Sequence, residues 1–181
     1  EEESENLQAI IKGIEIPVGI VPGGGAGTLV SEVEEFAKFG FDFVDLYSSV
    51  MDAQLLGVPG IGKWVAPKGL HSSAMLEAFA DIAGIDALEA SFLGPAEYGA
   101  PLSVDDLAQL KVGLAAIAGR KPLVLPTDRR LSVEDLPVLM ENGITNFLIG
   151  FAVTGAHLDQ VVAATEEFKI KLDQVWAGRP T

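Results

Sequence analysis

The sequence predicts an α/β fold: a TIM-barrel-like β/α repeat, compact or incomplete as a barrel, with a doubly wound parallel sheet as the alternative. Three observations predict it. Short apolar runs alternate with helix-period segments along the chain, the signature of strands that return through crossover helices. The runs are continuously apolar rather than alternating, as in strands covered by helices in a parallel sheet. The punctuation between units also repeats. Gly40, Gly84 and Gly143 each stand between a helical segment and the next apolar run, where a left-handed helix end favours a residue without Cβ.

The elements follow in order. Residues 16–21 form the first candidate strand and run into Pro22-Gly23-Gly24-Gly25-Ala26-Gly27 before a helix over 28–38. A strand over 41–46 leads to a short helical piece at 51–56, a strand at 63–66 and a helix over 72–82. The next strand, 87–92, precedes a helix over 104–118. Strands at 122–125 and 146–150 flank a helix over 133–141, and a long helix over 158–175 follows. Two of these helices open on nearly the same phrase, Leu102-Ser-Val-Asp-Asp-Leu107 and Leu131-Ser-Val-Glu-Asp-Leu136, 29 positions apart. In each, a serine precedes acids that can meet the unpaired amides and positive dipole end of a first turn. No linker-like tract divides the chain, so residues 1–181 read as one β/α domain. Six visible units in 181 residues fall short of the roughly 200–250 residues of a full eight-stranded barrel.

Composition removes several classes of function. Asp and Glu number 26 against 12 Lys and Arg, a formal charge of −14. Such a surface repels phosphate backbones and anionic lipid, which argues against nucleic-acid and membrane partners. Apolar residues make up 49%, yet no run approaches the roughly 18 needed to cross a bilayer. The absence of cysteine removes disulfides, thiol nucleophiles and thiolate metal sites. The chain opens on Glu1-Glu2-Glu3 without Met, so whether residues precede Glu1 is open, and the cytoplasm is the default expectation.

Residues 121–155, KPLVLPTDRRLSVEDLPVLMENGITNFLIGFAVTG, resemble the closing two strands of the phosphate-binding β/α barrels. Residues 87–107, ALEASFLGPAEYGAPLSVDDL, are similar to the preceding unit of barrels distantly like phosphoenolpyruvate mutase and its uncharacterised relatives. The resemblance implies a barrel fold and an anionic small-molecule ligand held near Thr154 and Gly155. The chain departs from the phosphate-binding pattern in one place. The loop after the penultimate strand, usually glycine-rich, is Thr127-Asp128-Arg129-Arg130.

In parallel β/α folds the ligand lies beyond the carboxyl ends of the strands. There the loop over 23–27 (Gly23, Gly24, Gly25 and Gly27) could close backbone amides around an anion, or be a plain tight turn. Asp45, Glu89 and Asp128 stand at or near three strand ends and are the catalytic candidates. As clustered oxygen donors they could instead hold Mg²⁺, or one could serve as a general base. Asp45 lies between apolar Val44 and Leu46, so its side chain could point to either face. Arg129 and Arg130 offer guanidinium forks to carboxylate or phosphate, or to Glu134 and Asp135 on the following helix. Lys68 follows a strand and suits either a Schiff base or a solvated loop. His71 and His157 read as helix-start residues, and Trp64 and Trp176 as residues of the barrel exterior or an interface.

These readings converge on a small-molecule lyase or isomerase acting on a phosphorylated or carboxylated metabolite, with a homo-oligomer expected. Two alternatives stay open: an oxidoreductase holding a nicotinamide dinucleotide, with Asp45 on a ribose, and a non-catalytic binding or scaffold protein derived from a barrel.

Overall fold

The computed structural model describes residues 2–23, 27–69, 71–93, 98–126 and 129–178. Helix α1 (Glu2–Gly13) precedes β1 (Gly19–Ile20), α2 (Val30–Phe39) and β2 (Phe43–Tyr47). A 3₁₀ turn (Ala53–Gly57) leads to β3 (Gly62–Ala66), α3 (Ser73–Asp81), β4 (Ala87–Glu89) and a two-residue strand β5 (Ala100–Pro101). Then come α4 (Val104–Ile117), β6 (Leu123–Leu125), β7 (Arg129–Arg130), α5 (Leu136–Glu141), β8 (Asn146–Phe147), α6 (Phe151–Thr154) and α7 (Leu158–Ala177).

Six strands form one sheet in the order β1-β2-β3-β4-β6-β8, every ladder parallel. The order follows the chain without reversal, as in a barrel wall. A doubly wound sheet reverses its order and opens a crevice at the reversal, so the barrel-like alternative is the one realised: a parallel half-barrel with flanking helices. Strands β5 and β7 form a separate two-stranded ladder, Ala100 opposite Arg129 and Pro101 opposite Arg130. It joins the loops that follow β4 and β6.

Strand alternation assigns the faces. Val44 and Leu46 point to the helix layer and bury against Val33, Phe41, Leu55 and Ile61. Val65, Leu88, Leu123 and Leu125 do the same against Leu76, Leu110, Ile117, Leu136 and Leu139. The opposite, concave face carries Phe43, Asp45 and Tyr47 on β2, Trp64 and Ala66 on β3, and Glu89 on β4, in the register Asp45–Trp64 and Tyr47–Ala66. Phe43 and Trp64 stack there with centroids 4.2 Å apart. Trp64 is thus a residue of the concave face, not of the barrel exterior. Gly19 allows the Phe43 ring to lie flat: a Cβ on Gly19 would come within 2.1 Å of it. Trp176, by contrast, is exposed on α7.

Helix ends match the serine and glycine signals. Ser103 and Asp106 form a reciprocal capping box on α4, and Gly40, Gly84 and Gly143 all have positive φ. At the second phrase Ser132 and Asp135 are joined by the same side-chain contacts, but regular helix begins only at Leu136. Helix α1 has no counterpart among the predicted elements; it rests Leu7 and Ile11 on the α2 side of the core. Among the described residues no helix is long and apolar enough to cross a membrane.

Candidate active site

Asp45 sits in the middle of β2, 9% exposed, on the concave face above the Phe43–Trp64 stack. Glu89 ends β4, two strands away. Between them β3 presents Ala66 in register with Tyr47, and this small residue leaves room for both carboxyls to meet. They hydrogen-bond to each other. Two carboxylate anions cannot do so; one must carry a proton, so the pair titrates as a unit. Burial is the main influence on Asp45 and pushes its pKa up, against a smaller lowering by the hydrogen bond with Glu89. Ser91 donates its hydroxyl to Glu89 Oε1. Asp45 Oδ1 is buried with no hydrogen-bond partner.

The pair opens onto a cleft of about 400 Å³ lined also by Pro22, Thr28, Tyr47, Val50, Ala66 and Leu148. Pro22 and Thr28 stand on either side of the glycine-rich stretch in sequence. Lys68, just after β3, holds its ammonium 4.8 Å from the centroid of the Tyr47 ring. It makes no ion pair among the described residues, and so sets an unpaired cation against the ring of a residue that lines the cleft.

The other predicted site residues are distributed as follows. Gly23 borders open space, and Gly27 approaches the Val50 carbonyl beside a neighbouring recess that it shares with Thr28 and Asp52. Gly24, Gly25 and Asp128 lie outside the described residues. Arg129 is buried, and its fork is engaged within its own chain. Nη2 meets Asp106 Oδ1 at 2.8 Å and Nε meets Oδ2 at 3.0 Å, tying β7 to the first turn of α4. Burial acts to raise the Asp106 pKa, but hydrogen bonds from Arg129 and Ser103 outweigh it and hold that carboxyl below the usual range. Arg130, the next residue of β7, is exposed. Thr154 is buried, its hydroxyl within 3.3 Å of the Gly150 carbonyl and 3.0 Å of the Gly155 carbonyl. Gly155 has φ 69°, and a Cβ there would meet Gln160 Oε1 at 2.5 Å.

The structure thus brings Asp45 and Glu89 into one cleft, which Pro22 and Thr28 also line. Among the described residues no group of three or more His, Cys, Asp or Glu side chains could hold a metal ion; Asp45 and Glu89 supply two oxygen donors. Sequence reasoning did not find Asp106 as the partner of Arg129. The available signal was its place as the fourth residue of a serine cap phrase, where a carboxylate is drawn into the first turn. Nor did it find Ala66, whose contribution is the space it leaves empty.

No family model matches the chain, and no curated protein matches its sequence. Solved structures do match its fold. KGPDC from Streptococcus mutans superimposes with a TM-score of 0.66 at 16% identity, over 96% of this chain and 80% of that one. The same protein has also been solved as a complex with a ligand. The 3-hexulose-6-phosphate synthase from Salmonella typhimurium matches with a TM-score of 0.61 at 16% identity, over 95% and 81%. Phosphoribosyl anthranilate isomerase from Thermococcus kodakaraensis gives 0.58 at 16%, over 93% and 80%. This chain shares their β/α-barrel fold. The distant barrel resemblance of residues 87–107 and 121–155 therefore extends, as a likeness of fold, over nearly the whole sequence.

Proposed function

We propose that the cleft is the active site of an enzyme that moves a proton on a phosphorylated or carboxylated small molecule, in lyase or isomerase chemistry. One observation carries this reading: two carboxyls from separate strands of a parallel sheet, Asp45 and Glu89, line one half-enclosed cleft, and burial pushes the pKa of Asp45 up. One carboxyl of the Asp45–Glu89 pair serves as general acid and the other as general base. Environments that push the pKa values of two carboxyls apart set up acid and base roles.

The anionic end of the substrate is assigned to Lys68, whose ammonium lies over the ring of the cleft residue Tyr47, with the exposed Arg130 and the glycines of residues 23–27 as further candidate donors to that anion in an acidic protein. Thr154 and Gly155 shape the loop after β8 rather than contacting the anion. Two of the named solved structures carry phosphorylated compounds in their own names, which supports an anionic ligand for a cleft of this fold. The donor set also fits Mg²⁺, a hard cation that takes carboxylate oxygens. The buried, unpartnered Oδ1 of Asp45 and the carboxylate of Glu89, both ionised, would hold it; Asp128 lies outside the described residues. When bound, the ion would supply charge stabilisation to an oxyanion of the substrate.

The test is thermal stability with ribose 5-phosphate or pyruvate, each with and without Mg²⁺, and with NAD as the competing arm. A ligand that binds only the folded state raises the melting temperature. Stabilisation by either anion that disappears in Asp45→Asn and Glu89→Gln supports the assignment. Stabilisation that survives both substitutions, or that only NAD produces, overturns it.

A further inference from the structure

A second crevice lies on the far side of the sheet from the carboxyl pair, between α3 and α4. It is open to solvent along one side, holds about 190 Å³ and is lined by Leu76, Phe92, Ala108 and Val112, with His71 and Gln109 as its polar residues. His71 belongs to the loop between β3 and α3. Its ring meets Phe79 edge-on, centroids 5.7 Å apart, which fixes the plane of the imidazole. Its Nε2 is buried and has no hydrogen-bond partner. Gln109 is engaged elsewhere, its amide reaching the Asp105 carbonyl at 3.3 Å.

A buried polar atom without a partner costs free energy that something must offset. Water is poorly suited to this crevice. A held water needs two to four polar partners, whereas four of the six walls are apolar and the imidazole offers one nitrogen. A benzene-sized molecule fills roughly 150 Å³ of apolar cavity, so a crevice of about 190 Å³ is large enough for one six-membered ring and a substituent with one edge toward solvent. The chemistry that matches every wall is a flat apolar body bearing a single hydrogen-bonding group.

We propose that the α3–α4 crevice is a binding site for a small aromatic molecule with one hydroxyl or ring N–H, whose polar group pairs with His71 Nε2 and whose ring packs on Phe92, Leu76 and Val112. The site is separate from the carboxyl pair and its existence does not depend on the reaction proposed there. The two are physically joined, however. The His71 loop also carries Lys68, which lies against the cleft residue Tyr47, and Gly69 N–H donates to the Ser91 carbonyl at 3.2 Å, so an occupant of the crevice braces the segment that carries Lys68.

Phenol is the probe, with benzene as its apolar counterpart, followed by amide and imidazole NMR shifts on the native protein. Phenol is expected to bind saturably and more tightly than benzene, with shifts centred on His71, Ala108 and Val112. His71→Phe keeps the ring and removes the nitrogen; it should weaken phenol by about fivefold and leave benzene unchanged. Val112→Trp, at a half-exposed helix position, fills the crevice and should abolish both. The proposal is overturned if phenol binds no better than benzene, if its shifts fall elsewhere, or if both variants bind phenol as the native protein does.

Discussion

Asp45 and Glu89 stand on strands that are not neighbours, yet their carboxyls share a hydrogen bond across β3. Nothing local in the sequence sets this distance. It follows from a register that puts Ala66 level with Tyr47 on β2 and next to Glu89 on β4, so that the middle strand contributes a methyl group where a larger side chain would part the pair. Catalytic groups held this way are held against the preference of the fold, which gives the first prediction.

Asp45→Asn should stabilise the protein at neutral pH while removing its response to anionic ligands. Burial raises the Asp45 pKa in the folded state. A carboxyl with a raised folded pKa contributes stability that is fully present below its unfolded value and is lost as pH rises through the folded one. Asparagine keeps a donor toward Glu89 and never ionises, so it avoids that loss. The denaturant midpoint of the variant should exceed that of the native protein at pH 7, and the difference should vanish in acid. An equal midpoint at pH 7 would mean that Asp45 is not perturbed.

Arg129 and Asp106 predict the opposite pH behaviour. Asp106 has a lowered folded pKa, so its contribution is present above the unfolded carboxyl value and is lost as pH falls through the folded one. Arg129→Ala leaves a buried carboxylate without its partner and should cost about 3–5 kcal/mol. The double variant Asp106→Leu with Arg129→Met replaces the pair by apolar volume and should recover most of that. Urea denaturation of the three proteins at pH 7 and well below the ordinary Asp value of 3.8 checks both the size and the sign. A single variant no less stable than the double would refute the account.

How much of this was readable from residue order depends on whether the cause was local. The strands at 41–46, 63–66 and 122–125 were visible because continuous apolar runs need only a sheet covered by helices, and each lies within two residues of an observed strand. Gly40, Gly84 and Gly143 were visible because a left-handed residue has a steric cause confined to itself. Helix α1 was not: Leu7 and Ile11 are the residues it packs on the core, too few for a period to stand out. The face chosen by Asp45 was not readable either, since Val44 and Leu46 would be buried in both orientations. The two-residue ladder of β5 and β7 and the Arg129–Asp106 pair join loops 23 or more residues apart, and only the assembled barrel wall brings them together.

Gly113 sets two magnitudes against each other. It lies inside α4, where replacing glycine by alanine ordinarily gains about 1 kcal/mol. A Cβ at Gly113 would stand 2.5 Å from Phe92 Cζ, and overpacking a filled core costs about 1–3 kcal/mol. The collision should win, so Gly113→Ala is expected to destabilise by about 1 kcal/mol, read as a lower urea midpoint with unchanged slope. Pairing it with Phe92→Leu should restore the helical gain. A single variant more stable than the native protein would show that Phe92 yields freely.

Lys68 separates the electrostatics of the cleft from its packing. Its ammonium lies against the Tyr47 ring, an exposed cation–π contact of about 0.5–1 kcal/mol. Lys68→Met keeps an unbranched stem over the ring and removes the charge, so stability should fall by no more than that amount. Affinity for ribose 5-phosphate should fall much further, by about tenfold, because a charge-assisted hydrogen bond to the anion is lost. The net charge of −14 makes the native affinity depend on salt in two opposed ways. Screening weakens the attraction to Lys68 but also relieves repulsion from the acidic surface. Removing Lys68 takes away one attractive charge, so added salt should weaken binding less in the variant than in the native protein. Calorimetric titrations at about 50 and about 300 mM salt, which bracket the physiological screening range, distinguish the cases. If the variant keeps the native affinity at low salt, the anion is held elsewhere, and Arg130 becomes the cation to substitute.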